Sequence, residues 1–362
     1  MKGAFKLGSI SGIGIFIHWS FSLLIAYIVY SNYKNGQNTS EILWSVLFVL
    51  SIFMTVLLHE LGHALAAKRY NINTKRITLL PIGGLAELET IPEKPMEELV
   101  VALAGPLVNL GFAFLTSLII EFPSLENMAS MLTGVINSQN FLLNFFLVNL
   151  WLVLFNLIPA FPMDGGRVLR ALLAFKLRRE KATLIAARIG QFIAIIFIFI
   201  GFSSSPALIL IGIFILIGAQ SEATYTKTKS TLSHYTVRDV SMGEIKTINS
   251  SETVNTAVQM LLQGQSTYFL ILENEQPIGT LSRDEIISGL SEHGGNVAIQ
   301  TVMNKEIVFL ESNTPLEEAY RKLRESNTYL IVIVENQQMI GVLDNENILE
   351  FIMIREARKN KT

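Results

Sequence analysis

The chain predicts two unlike parts. The first is an α-helical polytopic membrane domain of about six transmembrane helices with a short re-entrant β segment. The second is an α/β module made of one unit written twice. Three observations carry this division. Only 16% of the residues are charged, 50% are hydrophobic and the mean hydropathy is +0.44, whereas soluble domains carry about 25% charged residues. The charges are also uneven: residues 1–222 hold 15 Lys/Arg and 12 Asp/Glu, residues 223–362 hold 13 and 18, and the net −2 divides into +3 and −5. Finally, the pattern changes at Glu222, from long apolar runs to short strands alternating with amphipathic helices. A disordered chain is excluded. With no Cys, so is a disulfide scaffold. A net charge of −2 leaves no reason to expect a nucleic-acid partner.

Six apolar stretches lie at 15–31, 42–66, 96–120, 139–158, 184–202 and 206–222. A spanning helix needs about 20 such residues. Lys2 and Lys6 precede the first run, but no small-residue cleavage site follows it, so a retained span is expected rather than a signal peptide. Gly3, Gly8, Gly12 and Gly14 punctuate a short amphipathic hairpin before it, and His18-Trp19 reads as an interfacial anchor. Only Gly201 to Pro206 separate the last two runs, which therefore form a tight helical hairpin.

The loops carry an orientation signal. Segment 67–95 holds Lys68, Arg69, Lys75, Arg76 and Lys94; segment 159–183 holds Arg167, Arg170, Lys176, Arg178, Arg179 and Lys181. The loops on the other side contain Lys34 alone. Basic loops stay cytoplasmic, so a multi-pass cell-membrane protein with both termini in the cytoplasm is expected. Between the second and third runs, Arg76 to Leu80 and Leu85 to Glu89 read as strands around Pro81 to Gly84. Non-helical backbone at membrane depth must line a cavity or be buried in protein. One reading is a re-entrant piece that offers a strand edge to an unwound substrate; the other is a plain cytoplasmic hairpin.

The chemistry-bearing motif ends the second run. In His59-Glu60-Leu61-Gly62-His63 the two histidines are four apart and share a helix face. Two imidazoles so placed can hold one zinc ion, and Glu60, about 100° round the helix, can act as general base. Ionisable groups in a spanning helix are costly and read as functional. A zinc hydrolase needs a third protein ligand and one open position. Asp164, in Asn156-Leu-Ile-Pro159-Ala-Phe-Pro162-Met-Asp164-Gly165-Gly166, is the best candidate. Its plainer reading is the N-cap of a helix over Val168 to Leu177.

His59-Glu60-x-x-His63 followed by Asn-x-x-Pro-x-x-Pro-x-Asp-Gly-Gly resembles the site-2 protease family of intramembrane zinc metalloproteases. The resemblance covers residues 1–222. It implies one zinc ion held by His59, His63 and Asp164, Glu60 as catalytic base, and Asn156 as an aid to the substrate or the oxyanion. Leu80 to Gly84 and Ala104 to Asn109 also match family segments, so Gly83, Gly84 and Asn109 are candidate substrate-binding positions. Asn109, like Asn149, has a simpler reading as an inter-helix hydrogen bond. The implied activity is peptide-bond hydrolysis in or beside the membrane. The implied substrates are single-span membrane proteins already trimmed by another protease. The competing readings are a membrane metal-ion transporter and a catalytically dead scaffold. A transit site has no need of a general base beside a ligand, and an intact Glu60 argues against a scaffold.

After a linker at 223–235, residues 236–293 and 298–356 repeat one pattern at an offset of about 62. Each has a short apolar opening (Val237 to Val240; Ile299 to Met303), a strand (Ile245 to Ile248; Ile307 to Leu310) and an amphipathic helix (Val254 to Leu262; Leu316 to Leu323). A Thr-Tyr-led strand (Thr267 to Leu272; Thr328 to Val334), a strand at Ile-Gly and a closing helix follow. The repeat resembles a tandem CBS domain pair, a known C-terminal addition in one branch of the protease family. Such pairs often bind adenosine nucleotides at Gly-x-x-Thr/Ser-x-x-Asp. Here Ser282 fits, but Glu285 and Asn347 stand at the Asp position and Asp344 replaces the hydroxyl residue. The −5 charge also repels phosphates. A homodimer through the pair, or gating of the membrane site, is the competing role.

Overall fold

The computed structural model describes residues 3–81, 83–88, 92–122, 134–243, 245–264, 267–326 and 328–359. Ile82 and Glu89, both named in the expected strand-turn-strand, lie outside the described residues, as do residues 123–133 of the expected third loop. The chain divides into two compact units, Met1–Thr224 and Tyr225–Thr362.

The first unit begins with a hairpin, β1 (Ala4–Ile10) and β2 (Ile13–His18), followed by α1 (Ser20–Lys34). This corrects the expected first span, which began at residue 15. The reason is the alternation Ile13-Gly-Ile15-Phe-Ile17-His: period two with β-branched residues suits a strand. Ile13 and Ile15 are buried against Leu57, Leu61 and Ala64 of the next helix. That helix, α2 (Thr39–Lys68), opens with a capping box. The Asn38 side chain accepts from Glu41 N at 3.0 Å, and Glu41 Oε2 accepts from Asn38 N at 2.8 Å.

A second hairpin follows, β3 (Thr74–Leu80) and β4 (Gly83–Leu88). β2 pairs parallel to β3, which joins both hairpins in one four-stranded sheet, β1-β2-β3-β4, with β1 and β4 at its edges. Gly83, at φ +137°, closes the β3–β4 turn in a conformation open to glycine.

The remaining helices are α3 (Pro95–Ser117), α4 (Phe141–Asn156), the short α5 (Asp164–Ala174), α6 (Arg179–Ser204) and α7 (Pro206–Leu232). Among the described residues four helices are long and apolar enough to cross a membrane: α2, α3, α6 and α7. α4 has 16 residues, about 24 Å at 1.5 Å each. Small residues bring the helices together. A Cβ on Gly62 of α2 would lie 2.9 Å from the Ala104 carbonyl oxygen of α3, and one on Gly212 of α7 would lie 2.7 Å from the Ala194 carbonyl oxygen of α6.

The second unit holds two three-stranded sheets. In one, β5 (Thr247–Asn249) runs parallel to β6 (Tyr268–Glu273), which is antiparallel to β7 (Gln276–Ser282). In the other, β8 (Val308–Glu311), β9 (Leu330–Glu335) and β10 (Gln338–Asp344) repeat that arrangement. Each sheet carries two helices, α8 (Val254–Gln263) with α9 (Arg283–His293), and α10 (Leu316–Glu325) with α11 (Asn345–Lys359). One face of β6 packs Phe269 and Ile271 under its own helices; the other packs Leu270 against Leu330, Val332 and Val342 of the second repeat.

The opening piece of each repeat is built into the other repeat. Val237 sits in the core of the second with Leu316, Ile331 and Leu343, and Met242 bridges Val342. Ile299 sits in the core of the first, and Asn304 bridges Thr280. Neither repeat therefore closes its core alone.

Candidate metal centre

His59 and His63 lie near the end of α2, on the face turned to α3. Asp164 arrives from a distant part of the chain, as the first residue of α5. Three ligand-type atoms converge: His59 Nε2 is 3.2 Å from Asp164 Oδ2, His63 Nε2 is 3.0 Å from it, and the two nitrogens are 3.1 Å apart. All three residues are buried. Among the described residues this is the group of His, Cys and acidic side chains that could hold a metal ion.

The outer nitrogens show which way each ring is committed. His59 Nδ1 donates to Asn109 Oδ1 at 2.6 Å, and His63 Nδ1 donates to the Val101 carbonyl at 2.7 Å. Both acceptors are oxygens, so Nδ1 carries the proton and Nε2 keeps its lone pair for the centre. Asn109 is held in turn, its Nδ2 donating to Asn149 Oδ1 at 3.3 Å, while Asn149 Nδ2 donates to the Phe145 carbonyl at 2.9 Å. Asn109 is only 1% exposed. The structure thus places this candidate substrate residue behind a ligand, where it orients the ring.

Two glycine positions make the centre possible. A Cβ on Gly105 of α3 would lie 2.6 Å from His59 Nε2 and closer still to His63 Nε2. A Cβ on Gly84 of β4 would lie 2.7 Å from Glu60 Cγ and 3.2 Å from Val56 Cγ1. The edge strand β4 therefore touches the expected base itself. Glu60 itself is half-buried.

The approach to Asp164 is equally specific. Ala160 and Phe161 are buried, and Gly190 of α6 and Gly218 of α7 admit the loop: their Cβ atoms would lie 3.2 Å from Ala160 and 2.5 Å from Pro162. Gly165 and Gly166 leave room for the loop to fold back on the start of α5; a Cβ on Gly166 would lie 2.6 Å from Phe161 N. The N-cap reading of Asp164 is overturned. Met163 holds that position, no side chain caps the helix, and the carboxylate turns instead to the histidines. Asn156 ends α4, half-buried and without a hydrogen-bond partner among the described residues. Gly83 faces open space.

Two neutral imidazoles and one carboxylate are a donor set that zinc accepts in hydrolases, where the fourth position stays open. A model of peptidase family M50 matches residues 47–201, and the CBS domain model matches 237–292 and 299–354. A zinc metalloprotease of Methanocaldococcus jannaschii is 31% identical over 360 residues, 99% of either chain. The chain belongs to peptidase family M50, the site-2 protease family. Stage IV sporulation protein FB of Bacillus subtilis is 36% identical over 135 residues, 37% of this chain and 43% of its own. A solved site-2 protease from M. jannaschii is 38% identical and aligns with 61% of this chain and 95% of its own, at a TM-score of 0.44. This M50 protease is thus a zinc metalloprotease carrying a tandem CBS pair, and the transporter reading falls.

Proposed function

We propose that the protein hydrolyses peptide bonds of single-span membrane proteins within or beside the bilayer, as a step of regulated intramembrane proteolysis. The observation that carries this reading is the convergence of His59, His63 and Asp164 within 3.2 Å, with Glu60 beside them. His59, His63 and Asp164 would hold zinc, which supplies Lewis-acid activation of water and of the scissile carbonyl. Glu60 accepts the proton of the attacking water as the new C–O bond forms. It returns that proton to the amide nitrogen as the C–N bond breaks. Asn156, with its carboxamide uncommitted, donates to the developing oxyanion.

A helical substrate hides its carbonyls, so it must be unwound. β4 is an edge strand whose Gly84 touches Glu60. A substrate segment paired to that edge is extended where the base can reach it. This supports the re-entrant reading of the β3–β4 segment. The six-span arrangement with cytoplasmic termini rests on the basic loops and on the four long helices. In the CBS pair, Ser282 Oγ and Glu285 are engaged with each other in a capping box, with Ser282 N donating to Glu285 Oε2 at 2.7 Å. Asp344 Oδ1 likewise accepts from Asn347 N at 2.8 Å. Residues at the nucleotide pattern are thus occupied with helix starts, which favours a gating or dimerising role over tight nucleotide binding.

The test is Glu60→Gln on purified protein with a single-span substrate, with and without chelator. The variant should keep its zinc and lose cleavage. Wild-type turnover by Glu60→Gln would sink the mechanism.

A further inference from the structure

The helix that carries Asp164 also carries Arg170, which belongs to a second group of ionisable side chains that the chemistry above does not use. Arg170 is 1% exposed and Glu98 2%. Arg170 Nε donates to Glu98 Oε1 at 2.8 Å, and its Nη2 lies 2.5 Å from the same oxygen. Its Nη1 is paired with Glu222, and its Cζ lies 5.0 Å from the centre of the Phe161 ring. Arg179 Nη1 is 3.3 Å from Glu98 Oε2 and also donates to the Glu93 carbonyl at 3.1 Å. Two guanidinium groups and two carboxylates from α3, α5, α6 and α7 thus form one balanced cluster.

Its placement ties it to the third ligand. Asp164 and Arg170 lie on the same short helix, α5, with Asp164 at its first residue. A helix of 11 residues is a rigid lever: whatever fixes Arg170 fixes the start of α5 as well. α3 supplies Glu98 in its first turn, and further along gives Val101 and Asn109 to the two histidines. The cluster therefore joins the helix that orients His59 and His63 to the helix that carries Asp164. Phe161, stacked on Arg170, belongs to the loop that delivers Asp164.

We propose that Arg170 is a positioning residue for the metal centre. Clamped between Glu98 of α3 and Glu222 of α7, it sets the depth of α5 and so brings the Asp164 carboxylate to the two histidines. Glu222 lies at the end of the membrane unit, which closes at Thr224. α7 is thereby joined to the zinc ligand by a single side chain.

The inference rests on zinc being held by His59, His63 and Asp164, and the experiment separates the two claims. Zinc affinity of the full-length protein is measured by chelator competition. The absorption spectrum of the cobalt-substituted protein and thermal unfolding are recorded in parallel. Glu222→Gln, at a side chain 25% exposed, and Arg170→Lys keep the cluster foldable. Both should weaken zinc binding by about tenfold and change the cobalt spectrum, with helix content retained. Gly201→Ala, crowded against Ile209 at the α6–α7 turn, is the control for stability alone. It should lower the unfolding temperature and leave zinc affinity unchanged. Asp164→Asn should lose zinc outright; if it does not, the metal-centre reading fails. If Asp164→Asn loses zinc while Arg170→Lys and Glu222→Gln stay within about twofold of wild type, Arg170 is structural only and the inference is overturned. Equal loss of zinc in Gly201→Ala would overturn it too.

Discussion

Asn109 and the Val101 carbonyl do for the two histidines what the motif cannot do by itself: they choose the tautomer. Without an acceptor at Nδ1, either ring could carry its proton on Nε2 and present a donor to a cation. Asn109→Ala should therefore weaken zinc binding by about 10- to 100-fold with the helices intact; competition with a chelator reads this directly. Gly105→Ala should be more severe, because the added Cβ occupies the space of both Nε2 atoms. A different effect is expected at Asp344, in the α/β unit. Burial holds its carboxyl above the ordinary range. Its folded value exceeds the unfolded value of about 3.9, so the stability it gives in acid is lost as pH rises through the folded value. Asn can take over the cap to Asn347 N. Asp344→Asn should therefore raise the unfolding temperature of this unit at neutral pH, with the gain vanishing toward pH of about 4.

β4 has two jobs as an element. Its inner side supports Glu60 through Gly84, and its outer edge is unpaired among the described strands. These jobs separate by substitution. Proline at successive positions from Leu85 to Leu88 removes one backbone donor at a time. Where the lost N–H points away from β3, the hairpin should survive and cleavage should fall through a raised KM. No effect at any position would count against strand addition. Gly84→Ala instead crowds Glu60, and should lower kcat with zinc content unchanged. At this scale much was legible beforehand. Both strands of the hairpin are legible between Arg76 and Glu89, because Pro81, Gly83 and Gly84 mark a turn between them. The pairing of β2 with β3 was not legible: a parallel neighbour so distant in sequence leaves no local signal. The same limit hid the exchange of opening segments between the CBS repeats, since Val237 and Ile299 look alike wherever they pack.

The whole molecule combines a zinc site inside a helical membrane unit with a separately folded α/β pair. Its topology can be tested cleanly because the chain has no Cys. A single cysteine at Ser204 should react with a membrane-impermeant maleimide from outside the cell. One at Lys176 should react only after permeabilisation. The opposite pattern would reverse the orientation drawn from the basic loops. Removing zinc with a chelator should abolish cleavage and leave helix content unchanged, because apolar and small-residue packing hold these helices together. Restored activity on adding zinc back would confirm that the metal serves chemistry rather than folding.

By itself the sequence determined the two-part division, the repeat and the candidates for the reactive residues. These follow from local quantities: hydropathy over a window, periodicity, and the i, i+4 spacing of His59 and His63. Scarcity of charge made Glu60 and Asp164 stand out. Only the tertiary structure decided what those residues meet. It brought the Asp164 carboxylate to the two histidines and set Asn109 behind the His59 ring. It showed Arg170 and Glu98, 72 residues apart in the chain, to be one buried pair. Each of these is a contact between segments far apart in the chain, and such contacts are set by how helices pack, not by any pattern along them.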